Sequence, residues 1–376
     1  MGKDTVDNPT DLGMGRKRGQ DGSAIGDLMV RTYKKKVAEE YSSIVSTYSV
    51  ASMATREEGE HKLRALICEG DVVLDVGCGP GFGLPLSLCF AGRGGMVVAV
   101  DISLDMLREA RRNVERWEFP SRRLDRKDSQ IRGLDKAKPD GVTPVFLLCD
   151  AERLPFREGK VDVAFSFEAL HRMDPEVGIR EMYRAIRPGG YMLVEIPAGH
   201  DEDAMVFQHI PPSYLPSTLP KGFPPDFKLD PDYWEEEQSR WRQFKDFCRK
   251  RLPCLSDAIS RGWFNGYRDL RSRYNQYVDG EIDQGALEKF IEQWEEENRA
   301  GRLKWICFPT RSFFSHMVSE LEEEGAMVIE CSTSSFKPDL ISLSRDPKLY
   351  FEFYTYTYSQ VVRTHVAVLS KPDWAT

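Results

Sequence analysis

The sequence predicts a doubly wound α/β fold with a mostly parallel, seven-stranded sheet and a large helical cap inserted after the fifth strand. Three observations carry this. From Asp71 onward, short β-branched runs alternate with stretches of helical periodicity, the signature of parallel strands joined by crossover helices. The first of these runs stops at a glycine cluster, as a buried strand that ends at a ligand-binding turn would. Residues 201–310 then break the alternation, opening with Pro211, Pro212, Pro216, Pro220, Pro224 and Pro225 and continuing in aromatic helical stripes.

In chain order, residues 1–25 are Gly-, Asp- and Lys-rich without periodicity and predict a disordered tail. Residues 26–70 predict two helices, near 25–40 and 57–66. Val72–Val76 and Met96–Asp101 read as strands, with a short helix from Leu84 to Ala91 between them that tolerates Pro85 in its first turn. Ser103 is placed to cap a helix on which Leu104, Leu107, Ala110 and Val114 recur. Further strands are expected at Val145–Cys149, Val161–Phe167 and Tyr191–Ile196. A helix carrying Ile179, Met182, Tyr183 and Ile186 precedes the last and stops at Pro188-Gly189-Gly190. The cap stripes are Trp234, Trp241, Phe244 and Phe247, then Ile259, Tyr267, Leu270 and Tyr274, then Leu287, Phe290, Ile291 and Trp294. Residues 311–376 return to the sheet with a helix at Ser312–Glu324 and strands at Met327–Cys331 and Val361–Leu369.

Composition narrows the function classes. A 41% hydrophobic content over 376 residues supports a substantial core, and the net charge of −8 counts against a dedicated nucleic-acid binder. The basic stretch with Arg122, Arg123, Arg126, Lys127, Lys136 and Lys138 reads first as a solvated loop. No run approaches the ~18 apolar residues of a membrane span. The first residues lack the apolar core of a secretory signal, and Val6 stands where myristoylation wants Ser or Thr. The eight cysteines form no C-x-x-C pair, so no metal site is expected. These features predict a cytoplasmic enzyme of unreadable oligomeric state.

The most informative segment is Asp75-Val76-Gly77-Cys78-Gly79-Pro80-Gly81-Phe82-Gly83. Glycines at alternate positions let the backbone approach a ligand without Cβ interference. It is not a dinucleotide fingerprint, because the third glycine of G-x-G-x-x-G would fall at Phe82. The segment resembles the D-x-G-x-G-x-G motif of class I S-adenosylmethionine-dependent methyltransferases. Other matches follow in order: Asp101 at the end of the second strand, Asp150-Ala151-Glu152-Arg153-Leu154-Pro155-Phe156 after the third, Val161–Ser166, and Arg187-Pro188-Gly189-Gly190 before the fifth. Together they are most similar to the branch containing ubiquinone and menaquinone biosynthetic and natural-product methyltransferases.

The resemblance implies a Rossmann-like core over residues 71–200 with S-adenosyl-L-methionine as methyl donor. Asp75, Gly77, Cys78, Gly79 and Gly81 would form its cradle. Asp101 would take both ribose hydroxyls, since a carboxylate offers two acceptor oxygens to a vicinal diol. Ile102 would lie on the adenine, Asp150 would accept from its amino group, and the Ala151 amide would donate to the ring. Phe167 opens the loop expected beside the methyl group. Residues 26–70 resemble the family's N-terminal lid, with Tyr41 and Tyr48 facing the donor or packing the helix.

In-line methyl transfer needs a base only where the acceptor is protonated at working pH. His171 is the first candidate, with the alternative that it hydrogen-bonds the backbone and shapes the pocket; Glu168 is the second, as base or counter-charge. His200 and Asp201 follow the fifth strand. The cap aromatics, Tyr233, Trp234, Trp241, Trp263, Phe264 and Trp305, read either as an acceptor enclosure or as the cap's own core. The expected function is methylation of a small-molecule acceptor on oxygen or nitrogen. The alternatives are an RNA methyltransferase using the basic loop and a catalytically silent partner subunit.

Overall fold

The computed structural model describes residues 34–43, 45, 57–116, 144–198, 231–264, 266–303, 305–335 and 363–373. The expected tail, most of the basic loop, the Pro-rich passage, Tyr48, His200 and Asp201 lie outside the described residues. So do the side chains of Tyr233, Trp234 and Phe264.

Residues 34–43 form the helical segment α1. In chain order follow α2 (Glu57–Leu66), β1 (Val72–Val76), α3 (Leu84–Ala91), β2 (Met96–Asp101), α4 (Leu104–Arg116), β3 (Val145–Leu148), β4 (Val161–Phe167), α5 (Pro175–Ala185) and β5 (Ile186–Pro197). Then come α6 (Pro231–Arg251), α7 (Pro253–Arg261), β6 (Trp263–Phe264), α8 (Arg268–Val278), α9 (Gln284–Arg299), β7 (Ile306–Cys307), α10 (Arg311–Glu323), β8 (Met327–Ser335) and β9 (Arg363–Ser370). Seven strands form one sheet in the order β3-β2-β1-β4-β5-β9-β8. Strands β1 to β5 pair in parallel, and β9 runs antiparallel to both β5 and β8.

Period-two alternation sends side chains to opposite faces, and both faces are covered. Val73, Val97, Ala99 and Val163 join Leu84, Leu88, Leu107 and Ala110 of α3 and α4 in one core. Leu74, Val76, Val98, Val100 and Ala164 join Ile179 and Met182 of α5 and Phe314 and Met317 of α10 in the other. Helices α6 to α9 enclose a third cluster, in which Trp241, Phe244, Tyr274, Ile291 and Trp294 are buried together with Trp305. Trp241 and Trp305 therefore sit inside this helical unit's core.

Three boundaries differ from expectation. Helix α5 ends at Ala185, and Ile186 adopts φ −71°, ψ 136° and pairs with Val161. Pro188 disfavours helical backbone at Arg187 and lacks an N–H to continue the ladder of bonds, so β5 begins five residues before Tyr191. Strand β8 runs past Cys331 to Ser335 because β9 pairs it as far as Arg363. Strand β3 stops at Leu148, one residue short, although the Cys149 amide still donates to the Asp101 carbonyl at 3.1 Å.

Candidate active site

The site lies at the carboxyl ends of β1, β2, β3 and β4. Beyond β1 the chain hooks over β2, with the Gly77 and Cys78 amides both donating to the Val100 carbonyl at 2.9 Å. Gly77 holds φ +70°, and a Cβ there would stand 2.2 Å from the Cβ of Ala169. Only glycine fits that approach between the first and fourth strand ends. Gly79, at φ +52°, donates its amide to Asp101 Oδ2 at 2.9 Å, while Asp101 Oδ1 accepts from the Ser103 amide at 2.8 Å.

These segments surround a cavity of about 860 Å³, open mouth included. Of the sequence-predicted residues, Asp75, Gly77, Cys78, Gly79, Asp101, Ile102, Asp150, Ala151, Phe167 and Glu168 line it. Gly81 and His171 are not among its lining residues. Gly81 instead donates to the Cys78 carbonyl at 2.9 Å, and a Cβ on it would meet Leu84 and Ala110, so its lack of a side chain serves helix packing. His171 is buried, its ring stacked on Phe308 with centroids 5.5 Å apart and planes 12° from parallel. Its Nε2 accepts a hydrogen bond from Arg172 Nε at 3.1 Å.

Burial decides the electrostatics. Desolvation pushes the Asp101 carboxyl up to about 6, against the backbone amides that favour its charged form. Burial drives the Cys78 thiol well above its ordinary range and Cys149 up to about 12, so both cavity thiols stay protonated at neutral pH. Burial, assisted by the Arg172 charge, holds His171 well below the usual imidazole range.

Asp150 caps the single 3-10 turn of Ala151–Arg153 by accepting the Glu152 amide at 3.0 Å. Its other oxygen pairs with Lys34 of α1, whose Nζ also lies 2.8 Å from Glu152 Oε2. Helix α1 thus contributes Lys34, Val37 and Tyr41 to the cavity wall, and Ser42 Oγ meets Ser103 Oγ at 3.1 Å. Lys34 and Val37 were not anticipated, although their i, i+3, i+7 spacing with Tyr41 marks one helix face. Arg172 and Met173 also line the cavity. Arg172 ends the single 3-10 turn Leu170–Arg172 and Met173 follows it, and so short a turn carries no sequence period for side-chain direction.

Glu168 is the one non-glycine among the described residues with positive φ, at +53°. Its amide donates to the Glu195 carbonyl at 2.8 Å, tying the loop after β4 to the end of β5. Among the described residues no group of three or more His, Cys, Asp or Glu side chains is arranged to hold a metal. No helix there is long and apolar enough to cross a membrane.

Among known proteins, the family model described as methyltransferase domain matches residues 74–194. A malonyl-[acyl-carrier protein] O-methyltransferase of Hamiltonella defensa is 28% identical over 165 residues, 43% of this chain and 51% of that protein. A ubiquinone/menaquinone biosynthesis C-methyltransferase of Bordetella parapertussis is 31% identical over 43% of this chain and 56% of its own length. A 27-O-demethylrifamycin SV methyltransferase of Amycolatopsis mediterranei is 28% identical over 306 residues, 77% of this chain and 94% of that one. The chain spans about half the length of the first two, whereas similarity to the third extends well beyond the sheet core.

Proposed function

We propose that the chain carries a class I S-adenosylmethionine-dependent methyltransferase domain and that the whole protein methylates a small-molecule acceptor on oxygen or nitrogen. The observation that carries this reading is the cavity: motif residues from four strand ends converge on one space. The extended similarity to the 27-O-demethylrifamycin SV methyltransferase supports a small acceptor.

The residues present suit this donor. Asp101 is a half-buried carboxylate on the cavity wall whose oxygens each accept one backbone amide, which leaves acceptor capacity for a diol. Hydroxyl donors there would offset the desolvation that raises its pKa. The glycine loop offers backbone without Cβ bulk, Ile102 an apolar surface, and Asp150 a carboxylate beside the Ala151 turn. When bound, the donor supplies an activated methyl on a sulfonium, which leaves as a neutral thioether.

The protein's own work is to align the acceptor's lone pair and exclude water, which supplies up to ~7–11 kcal/mol of the barrier. Glu168 receives the acceptor's proton or balances a cationic amine. Its left-handed backbone conformation is costly for a residue with a Cβ, and such strain gathers where a side chain must be aimed.

The test is transfer of labelled methyl from S-adenosylmethionine into the small-molecule fraction of a cell extract. Label should appear with the wild type, vanish with Asp101→Ala, and fall by about 10²-fold or more with Glu168→Gln while S-adenosylhomocysteine still binds. Label entering RNA or protein instead would overturn the acceptor class; full turnover by both variants would overturn the site.

A further inference from the structure

We propose that His171 is a positioning residue: it holds the Arg172 guanidinium against α1 and so keeps that helix in the cavity wall. The inference rests on the donor-site reading above. A proton acceptor for the substrate must present a lone pair to the cavity. His171 has its Nε2 lone pair engaged by Arg172 Nε–H at 3.1 Å. That assignment puts the ring proton on Nδ1, which is buried and has no hydrogen-bond partner among the described residues. The ring itself is stacked on Phe308, just after β7, at 5.5 Å.

Arg172, by contrast, lines the cavity. Its NH1 lies 3.6 Å from Glu40 Oε1, and its guanidinium carbon stands 5.4 Å from the centre of the Tyr41 ring, both on α1. One planar group therefore meets an imidazole on the core side and a carboxylate and an aromatic face on the helix side. At the other end of α1, Lys34 joins Asp150 and Glu152. Val37 is the only buried apolar side chain described on this helix, and the contacts at Lys34, Glu40 and Ser42 add polar anchors to it. The relay Phe308–His171–Arg172–α1 links the end of the helical unit to the helix beside the donor site. The neutrality that burial imposes on His171 suits this role, since a protonated ring could not accept from arginine.

Three variants of the full-length chain separate the readings. His171→Phe keeps a ring on Phe308 and removes the acceptor; His171→Gln restores an acceptor near Nε2; Arg172→Met removes the clasp. Calorimetric titration with S-adenosylhomocysteine is expected to show His171→Phe and Arg172→Met each weakened ~10-fold or more, the scale of one hydrogen bond to a charged group. The double variant should be no weaker than either single one, and His171→Gln should stay within about threefold of the wild type. Tryptic cleavage at Lys34, Lys35 and Lys36 should quicken in His171→Phe and Arg172→Met but not in His171→Gln. If His171→Phe does not fold, Arg172→Met and His171→Gln carry the same comparison. Unchanged binding with turnover abolished in both His171 variants, or additive losses in the double variant, would overturn the proposal in favour of a direct chemical role. Failure of the wild type to bind S-adenosylhomocysteine would instead remove the donor-site reading on which it stands.

Discussion

Asp101 Oδ2, at the end of β2, accepts the Gly79 amide at 2.9 Å, so the carboxylate proposed to take the donor's ribose also pins the glycine loop proposed as its cradle. Loop and acid are set relative to each other before any ligand arrives. The arrangement has a pH signature. Because burial raises Asp101 to about 6, the carboxylate is protonated as pH falls through 6 and loses its acceptor capacity. S-adenosylhomocysteine affinity is expected to drop on that acid limb in the wild type. In Asp101→Asn it should be weak throughout and lack that limb. Calorimetric titration between pH 5 and 8, read as a flat affinity in the wild type, would contradict the assignment.

Gly77 tests the close approach of two strand ends. Gly77→Ala places a Cβ at 2.2 Å from that of Ala169 and holds it at φ +70°. Overpacking and left-handed strain together predict a loss of about 2–4 kcal/mol in stability. Adding Ala169→Gly removes the clash and leaves the strain, so urea denaturation should show the double variant partly restored. A double variant as unstable as the single one would place the cost elsewhere.

Lys34 bridges two carboxylates with little exposure of its own, its side chain being 13% accessible. Lys34→Met leaves Asp150 and Glu152 facing each other without their cation. Thermal unfolding is expected to show a loss of about 1–3 kcal/mol, relieved in part by a second change, Asp150→Asn. Equal stability of Lys34→Met and the wild type would mean that the pairs do not hold α1.

Asp174 caps α5 by accepting the Glu176 and Val177 amides at 3.1 and 3.4 Å. Burial, with Glu152 and Glu176 adding repulsion, raises its carboxyl to about 7. The native state therefore binds this proton more tightly than the unfolded chain. The associated stability is complete below the ordinary carboxylate pKa and is lost as pH rises through 7. Asp174→Asn keeps the capping oxygen and removes the charge. It should raise Tm by about 2–4 °C at pH 8.5 and leave it nearly unchanged below the ordinary carboxylate pKa, at about pH 3.5, as followed by circular dichroism.

Much of the fold was legible because its signals are local. Strands such as Val72–Val76 announce themselves by β-branched runs, and helix α4 by its cap and its stripe. Ser103 does accept the Met106 amide at 3.3 Å. The extent of β8 was not legible, since its last residues are in a strand only because β9 pairs with them. Gly81 carried a motif's signal yet serves packing against Ala110, a distinction set by which face of the loop meets α4.

The sequence by itself determined that alternating strands and helices would bring Asp75, the glycine loop, Asp101 and Asp150 to one edge of a parallel sheet. Strand direction and crossover handedness leave few other places for residues at those strand ends. Only the tertiary structure decided what faces the cavity among residues adjacent in the chain. Glu168 lines it while His171, three positions on, turns into the core against Phe308. It also decided that Lys34 and Tyr41, far from the motifs in sequence, stand beside them in space. A turn without a repeating period gives no rule for side-chain direction, and contacts between distant segments are made by packing, which no local pattern encodes.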